Sequence, residues 1–218
     1  MSPALAAPVR NRRLPRRPAS ITLWAGVVAA AVVVGALAHR PTAAAESPSY
    51  DAVAAARAAL PAPTGGAITE ADGLLPSGTN AFDGQLPGVA RLDPALLSAL
   101  RQASTAAARA GITILVTSGW RSPEYQDELL RQAVATYGSE AEAAHWVASP
   151  ATSAHVAGDA ADLGPADATF WLSAHGVRYG LCQIYRNEPW HYELRPNAVR
   201  HGCPVMYANP AHDPRMQP

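Results

Sequence analysis

Two short segments constrain this chain more than anything else in it. The first is Ser153-Ala154-His155-Val156-Ala157-Gly158-Asp159-Ala160-Ala161-Asp162, and the second is Glu188-Pro189-Trp190-His191. A fold that uses them together must bring His155, Asp162 and the second segment to one point. Two neutral nitrogens and one carboxylate oxygen suit zinc. In catalytic sites zinc takes three protein ligands and keeps a fourth position open, which is what metal-assisted hydrolysis needs. His155, Asp162 and His191 are therefore the candidate ligands, and Glu188 is the candidate base. Gly158, Ala160 and Ala161 leave little bulk between the first two. Glu188 and His191 flank a Pro-Trp pair, which reads as a turn entering a strand. The competing reading is coincidence. A lone histidine is more often a structural hydrogen-bonder than a ligand, and neither pair is strong evidence alone.

A third segment, Thr117-Ser118-Gly119-Trp120-Arg121-Ser122, lies upstream. The pattern S-x-H-x-x-G-x-A-x-D followed by E-P-W-H resembles the zinc D-alanyl-D-alanine carboxypeptidases of the VanY/VanX type. The upstream segment is similar to that family's S-G-Y-R-S, with Trp120 in place of Tyr. The resemblance runs roughly from Leu92 to Leu194. It implies that His155, Asp162 and His191 bind Zn2+ and that Glu188 is the catalytic acid/base. It also implies that Arg121 lies at the substrate and stabilises the transition state. Ser153, Gln126 and Trp190 are expected to contact substrate. For Ser153 the alternative is a turn cap, and for Gln126 a solvated helix position. The implied fold class is α+β: helices packed on a small, mainly antiparallel sheet with a zinc site (hedgehog/DD-peptidase-like).

Charge divides the chain. It is formally neutral, with 17 basic residues, all Arg, against 17 acidic ones. Arg10, Arg12, Arg13, Arg16 and Arg17 precede every acidic residue, and without them 12 Arg face 17 acids, a balance of −5. Such a remainder gives no support for nucleic-acid binding. Residues 1–20 read as a basic cytoplasmic tail. Residues 21–38 form an uncharged apolar run of 18 residues, just within the span of about 17–25 that crosses a bilayer. The preceding arginines predict an exported C-terminal part. The expectation is a single-pass cell-membrane anchor with the domain outside. The alternative is a secreted chain cleaved at Ala36-Leu37-Ala38 or Ala43-Ala44-Ala45. Residues 39–88, rich in Ala and Pro, read as an extracytoplasmic linker. A short helix is expected over residues 51–60, and a stretch around residues 74–86 has the option of packing on the domain. Residues 89–218 make the carboxypeptidase-like domain, expected to be a monomer.

Within that domain, Asp93-Pro94 signals a helix start and Gly111 a stop. Leu96, Leu100, Ala103 and Ala107 share one face of that helix. Residues 112–117 read as a buried strand delivering Arg121. Ser122-Pro123 starts a helix stopped by Gly138, and Ser139 caps another over residues 140–148. Residues 159–163 read as the strand carrying Asp162. Residues 165–175 read as a helix ended by Gly176. Strands are expected over residues 181–186 and 190–194, followed by an irregular tail that wraps the domain. Trp120 reads equally as core or cleft wall. His145, His175, His201 and His212 read as structural or surface residues. Cys182 and Cys203, the only cysteines, are expected to form a disulfide outside the cytoplasm, with two unpaired thiols as the alternative.

The function expected is removal of the terminal D-Ala from peptidoglycan stem peptides. Alternatives within the fold are an L,D-carboxypeptidase, a peptidoglycan endopeptidase or a non-catalytic wall-binding module. A further alternative is a membrane-anchored interaction protein with a closed structural metal, which would need His145 or Asp159 as fourth ligand.

Overall fold

The computed structural model describes residues 66–216. The expected cytoplasmic tail, apolar run, helix over 51–60 and first part of the linker lie outside the described residues. Among the described residues, no helix is long and apolar enough to cross a membrane.

Four strands form one sheet: β1 (Leu115–Ser118), β2 (Ala160–Gly164), β3 (Leu181–Gln183) and β4 (His191–Leu194). Their order is β1-β2-β4-β3, and every neighbouring pair is antiparallel. Side chains alternate between the two faces of a strand. Val116, Ala161, Leu163, Leu181 and Tyr192 point one way, into the main apolar core. Asp162 and His191 point the other way, and a register shift between Val116 and Ser118 brings Ser118 to that face as well, so that Asp162 stands opposite both Ser118 and His191.

Seven α-helices occur among the described residues, with four short 3-10 turns beside them. The core face of the sheet is covered chiefly by α2 (Pro94–Arg109) and α6 (Ala166–His175). Asp93 caps α2 by accepting hydrogen bonds from the Ala95 and Leu96 amides, and Pro94 occupies the first helical position, as expected. Leu96, Leu100, Ala103 and Ala107 are all buried. Fully burying a leucine side chain stabilises by about 1.5–3 kcal/mol, so this stripe anchors the helix to the sheet. The next long helix, α3 (Pro123–Tyr137), is capped by Ser122 and stopped by Gly138, both as read from the sequence.

Several boundaries differ from expectation. The strand before Arg121 begins at Leu115, not residue 112, because the Ile112 amide closes the end of α2 on the Ala107 carbonyl. The helix after Ser139, α4 (Glu140–Ala143), stops early and turns so that Trp146 stacks on Tyr137, with ring centroids 5.8 Å apart. The α-helix before Gly176 ends at His175 with Gly176 as its C-cap, as expected, but the backbone does not leave the helical region there. The chain continues through a 3-10 turn, Gly176–Tyr179, and leaves it at Gly180. Strand β3 ends at Gln183 rather than 186. The tail carries a short helix, α7 (Ala198–His201), and folds back across the domain.

The domain also starts earlier than residue 89. Residues 66–88, expected to belong to the linker, pack on it. The Thr79 carbonyl accepts from the Val116 amide at 2.9 Å, Asp72 from Ser122 at 2.8 Å and Gly88 from Trp120 at 2.8 Å. Ala81 is buried in the core, and Val89 follows in helix α1 (Pro87–Ala90). The small residues that made this stretch look like a linker are what allow the contact. A Cβ on Gly73 would collide with the Trp120 carbonyl, and on the domain side a Cβ on Gly119 would collide with the Gly88 carbonyl.

Candidate metal centre

The candidate ligands come from three elements. Asp162 and His191 sit opposite each other on β2 and β4. His155 rides on a single-turn helix, α5 (Ala154–Ala157). Gly158 ends that turn in a left-handed conformation with φ +83°, and a Cβ there would also meet the Arg91 carbonyl. Its own carbonyl accepts from the Asp93 amide at 2.9 Å. The turn is thus pinned at its end, and His155 has a fixed origin.

Hydrogen bonds then choose the ring nitrogens. His155 Nδ1 donates to the Gly119 carbonyl at 2.8 Å, which leaves Nε2 as a lone pair. His191 Nε2 faces Glu193 Oε1 at 3.4 Å, which leaves Nδ1. The two remaining nitrogens lie 3.3 Å apart. Asp162 Oδ1 is 3.3 Å from the first and 3.4 Å from the second. Orientation of ligand imidazoles by a carbonyl and a carboxylate is usual around bound metals.

This triangle fits a cation. Ligand atoms about 2.0 Å from a tetrahedral zinc ion stand about 3.3 Å apart, the spacing found here. Asp162 Oδ1 is buried and has no hydrogen-bond partner. A buried polar atom without a partner costs about 1–3 kcal/mol, and more when charged. A divalent ion would satisfy it together with the two nitrogen lone pairs. Among the described residues, these three form the group able to hold a metal. Neither His145 nor exposed Asp159 joins them, so a closed four-ligand site is not built.

The electrostatics fit the same reading. Burial and the Arg121 charge push His155 down to about 4, so its imidazole stays neutral. Burial also opposes charge on His191, but contacts with Asp162 and Glu193 and the Glu188 charge outweigh it and push it up to about 9. Burial works against the Asp162 carboxylate too, yet the imidazoles and Arg121 hold it well below the usual range. The site is therefore built to stabilise positive charge beside Asp162.

The other expected residues gather at the same cleft, which has a volume of about 180 Å³. Glu188 is buried, with Oε2 3.7 Å from His191 Nδ1. Gln126 is buried rather than solvated, and Ser153 makes no capping hydrogen bond. Both line the cleft, as does Trp190. Arg121 lines it too, but its fork is also tied down: Nε donates to Ser118, Nη1 to Gln126 and Nη2 to Asp162. Trp120 is not a cleft wall. The Arg91 guanidinium lies over its ring, 4.2 Å from the centroid. His175 donates from Nδ1 to the Trp171 carbonyl in the last turn of α6, and His201 and His212 are exposed.

Sequence reasoning missed Gly119 as the acceptor for His155, and Glu193 behind His191. Glu193 had a signal, because residues two apart on a strand share a face. Behind it stand Arg195 and Arg215. Although burial opposes its charge, His191 and the arginines hold the Glu193 carboxyl far below its usual range. The disulfide forms as expected between Cys182 and Cys203, with Cα atoms 5.6 Å apart.

Two buried histidines and an aspartate beside a buried glutamate define a mononuclear metal centre of the kind used in metal-assisted hydrolysis. The chain belongs to the VanY family of D-alanyl-D-alanine carboxypeptidases, whose model matches residues 89–197. That range holds all three candidate ligands, Glu188 and Arg121. The chain is 33% identical over 134 residues to a D-alanyl-D-alanine carboxypeptidase of Enterococcus faecalis, with half of each chain covered. It thus spans about half the length of that curated relative. Among solved structures, it resembles a mutant of the vancomycin-resistance D,D-pentapeptidase VanY in complex with Zn(II). There the identity is 30%, with 47% of this chain and 72% of that one covered, at a TM-score of 0.45. It also resembles VanYB in complex with D-alanine-D-alanine at 26% identity. In that case 64% of this chain and 84% of that one are covered, at a TM-score of 0.48.

Proposed function

We propose that this protein is a zinc-dependent carboxypeptidase that removes the terminal D-Ala from peptidoglycan stem peptides. The observation that carries the reading is the buried triangle of His155 Nε2, Asp162 Oδ1 and His191 Nδ1, with Glu188 beside it. Family membership and the D-alanine-D-alanine complex of a similar structure support the substrate class.

His155, Asp162 and His191 would hold the ion. Bound zinc supplies a Lewis acid that makes water a better nucleophile and polarises a carbonyl. Glu188 acts as general base and then as general acid: it takes a proton from the attacking water and returns it to the amine of the departing D-alanine. Arg121 places positive charge at the cleft, where the scissile carbonyl gains negative charge, while holding Asp162 in position. Gln126, Ser153 and Trp190 orient the peptide.

The arginine-led apolar run supports a place at the cell membrane, single-pass, with the domain outside and signal cleavage as the variant. The Cys182–Cys203 disulfide supports an oxidising compartment. We take the chain to act as a monomer. Protease accessibility on intact cells tests the placement, and sedimentation tests the oligomeric state.

The activity is tested by incubating the zinc-loaded chain with a stem pentapeptide and reading the products by mass spectrometry. Loss of one alanine is expected. Loss of a dipeptide moves the scissile bond inward. An untouched pentapeptide with a cleaved tetrapeptide means L,D specificity, and cleavage of cross-linked peptides alone means an endopeptidase. No cleavage of any of these by a zinc-bound chain overturns the enzymatic reading.

A further inference from the structure

The C-terminal tail reaches the back of the candidate metal centre. Glu193 is fully buried on β4, with Oε1 facing His191 Nε2 at 3.4 Å. Arg215 grips the same carboxylate with two donors, Nη1 to Oε2 at 2.7 Å and Nη2 to Oε1 at 3.1 Å. Its Nε donates to Asp213, which is also fully buried. Asp213 Oδ2 accepts from the Tyr185 hydroxyl at 3.0 Å. The Tyr185 ring packs against His191, with centroids 4.9 Å apart. The tail therefore meets His191 at two places: its outer nitrogen through Glu193, and its ring face through Tyr185.

A bidentate guanidinium–carboxylate pair fixes geometry as well as charge. Without Arg215, Glu193 would keep Arg195 as its cationic partner, but nothing would hold both of its oxygens in one plane. Its Oε1 could then swing away from His191. Asp213 would keep the residue 215 amide on Oδ1 but lose the guanidinium that also grips Oδ2, the oxygen that meets Tyr185.

We propose that Arg215 is a positioning residue for the metal centre. Through Glu193, and through Asp213 and Tyr185, it sets the orientation of His191 and with it the affinity for zinc. The inference rests on reading His155, Asp162 and His191 as the ligands. It makes Asp213 and Arg215 part of the working site.

The test uses the full chain and two variants, Arg215→Ala and Arg215→Lys. Zinc affinity is read by competition with a chromophoric chelator, and stability of the metal-free chains by urea denaturation. Loss of a ligand's direct outer partner weakens metal binding by about 10–100-fold. Arg215 acts one contact further out, through Glu193, so a loss of about 10-fold, the lower end of that range, is expected for Arg215→Ala. Arg215→Lys keeps the charge without the fork and is expected to fall between the alanine variant and the parent. Should the alanine variant not fold, the lysine variant decides alone. Parental zinc affinity in a folded variant, with only the urea midpoint lowered, makes Arg215 a structural brace and overturns the inference. A parent chain that holds no zinc overturns the ligand reading as well.

Discussion

Arg121 Nη2 donates to Asp162 Oδ2 at 2.7 Å, and the other oxygen of that carboxylate is the one turned toward His155 and His191. The guanidinium thus decides which aspartate oxygen is left for a metal. Both side chains are more than nine-tenths buried. Removing one partner of a buried ion pair costs about 3–5 kcal/mol. Arg121→Ala is expected to lose about that much stability in the metal-free chain, read by urea denaturation. The loss should be smaller with zinc bound, since the ion also neutralises Asp162. Equal losses in both states would separate Arg121 from the metal centre.

Glu188→Ala is expected to lower kcat by about 10²–10⁴-fold, the usual contribution of a positioned general base. Its Oε2 stands 3.7 Å from His191 Nδ1, beside the ligand triangle rather than as one of its three members. Zinc stoichiometry, measured by metal analysis, should therefore stay at the parental value. Full turnover in the variant would remove Glu188 from the chemistry.

Gly119→Ala tests the packing of residues 66–88. The added methyl group would collide with the backbone carbonyl of Gly88, which cannot move as a side chain can. Overpacking of this kind costs about 1–3 kcal/mol. A lower melting temperature is expected, along with weaker zinc binding, because the Gly119 carbonyl orients His155. An unchanged melting temperature would mean that this segment does not rest on the Gly88–Gly119 contact.

Reducing the Cys182–Cys203 bridge should destabilise the domain by about 3 kcal/mol, the value for a loop of moderate length. The two cysteines are 21 positions apart and join β3 to the start of the tail. A fall in the urea midpoint on reduction is expected. The Cys182→Ser, Cys203→Ser double variant should match the reduced chain. No shift would show that the tail is held by its polar contacts alone.

What could be read in advance followed from interactions between near neighbours. Asp93-Pro94 and Ser122-Pro123 marked helix starts because a cap bonds to amides two or three residues away. The Leu96–Leu100–Ala103–Ala107 face was visible because helical spacing is local. The ligand residues were visible because their order and spacing carry a family pattern. Residues 66–88 read as linker, with packing left as an option only around 74–86, for the opposite reason. Gly and Pro are frequent in linkers, and only the facing backbone shows that small residues were needed for contact: a Cβ on Gly73 would collide with the Trp120 carbonyl and one on Gly119 with the Gly88 carbonyl. The expected strand over 181–186 ended early because the chain turns to the tail from Ile184 on: the Ile184 carbonyl accepts from the Tyr207 amide, and the Arg186 amide goes to the Tyr207 carbonyl.

By itself, then, the sequence determined the elements that depend on caps, stops and periodicity, and the residue types able to hold a metal and move a proton. The tertiary structure decided which atoms of those residues meet. The sheet register sets Asp162 opposite His191, the Gly119 carbonyl turns His155, and Glu193 with Arg215 backs His191. Apart from the His191–Glu193 pair on one strand, these contacts join residues 22 to 36 positions apart. Caps and periodicity reach only a few residues, whereas an ion pair or a carbonyl–imidazole bond depends on where packing brings distant backbone together.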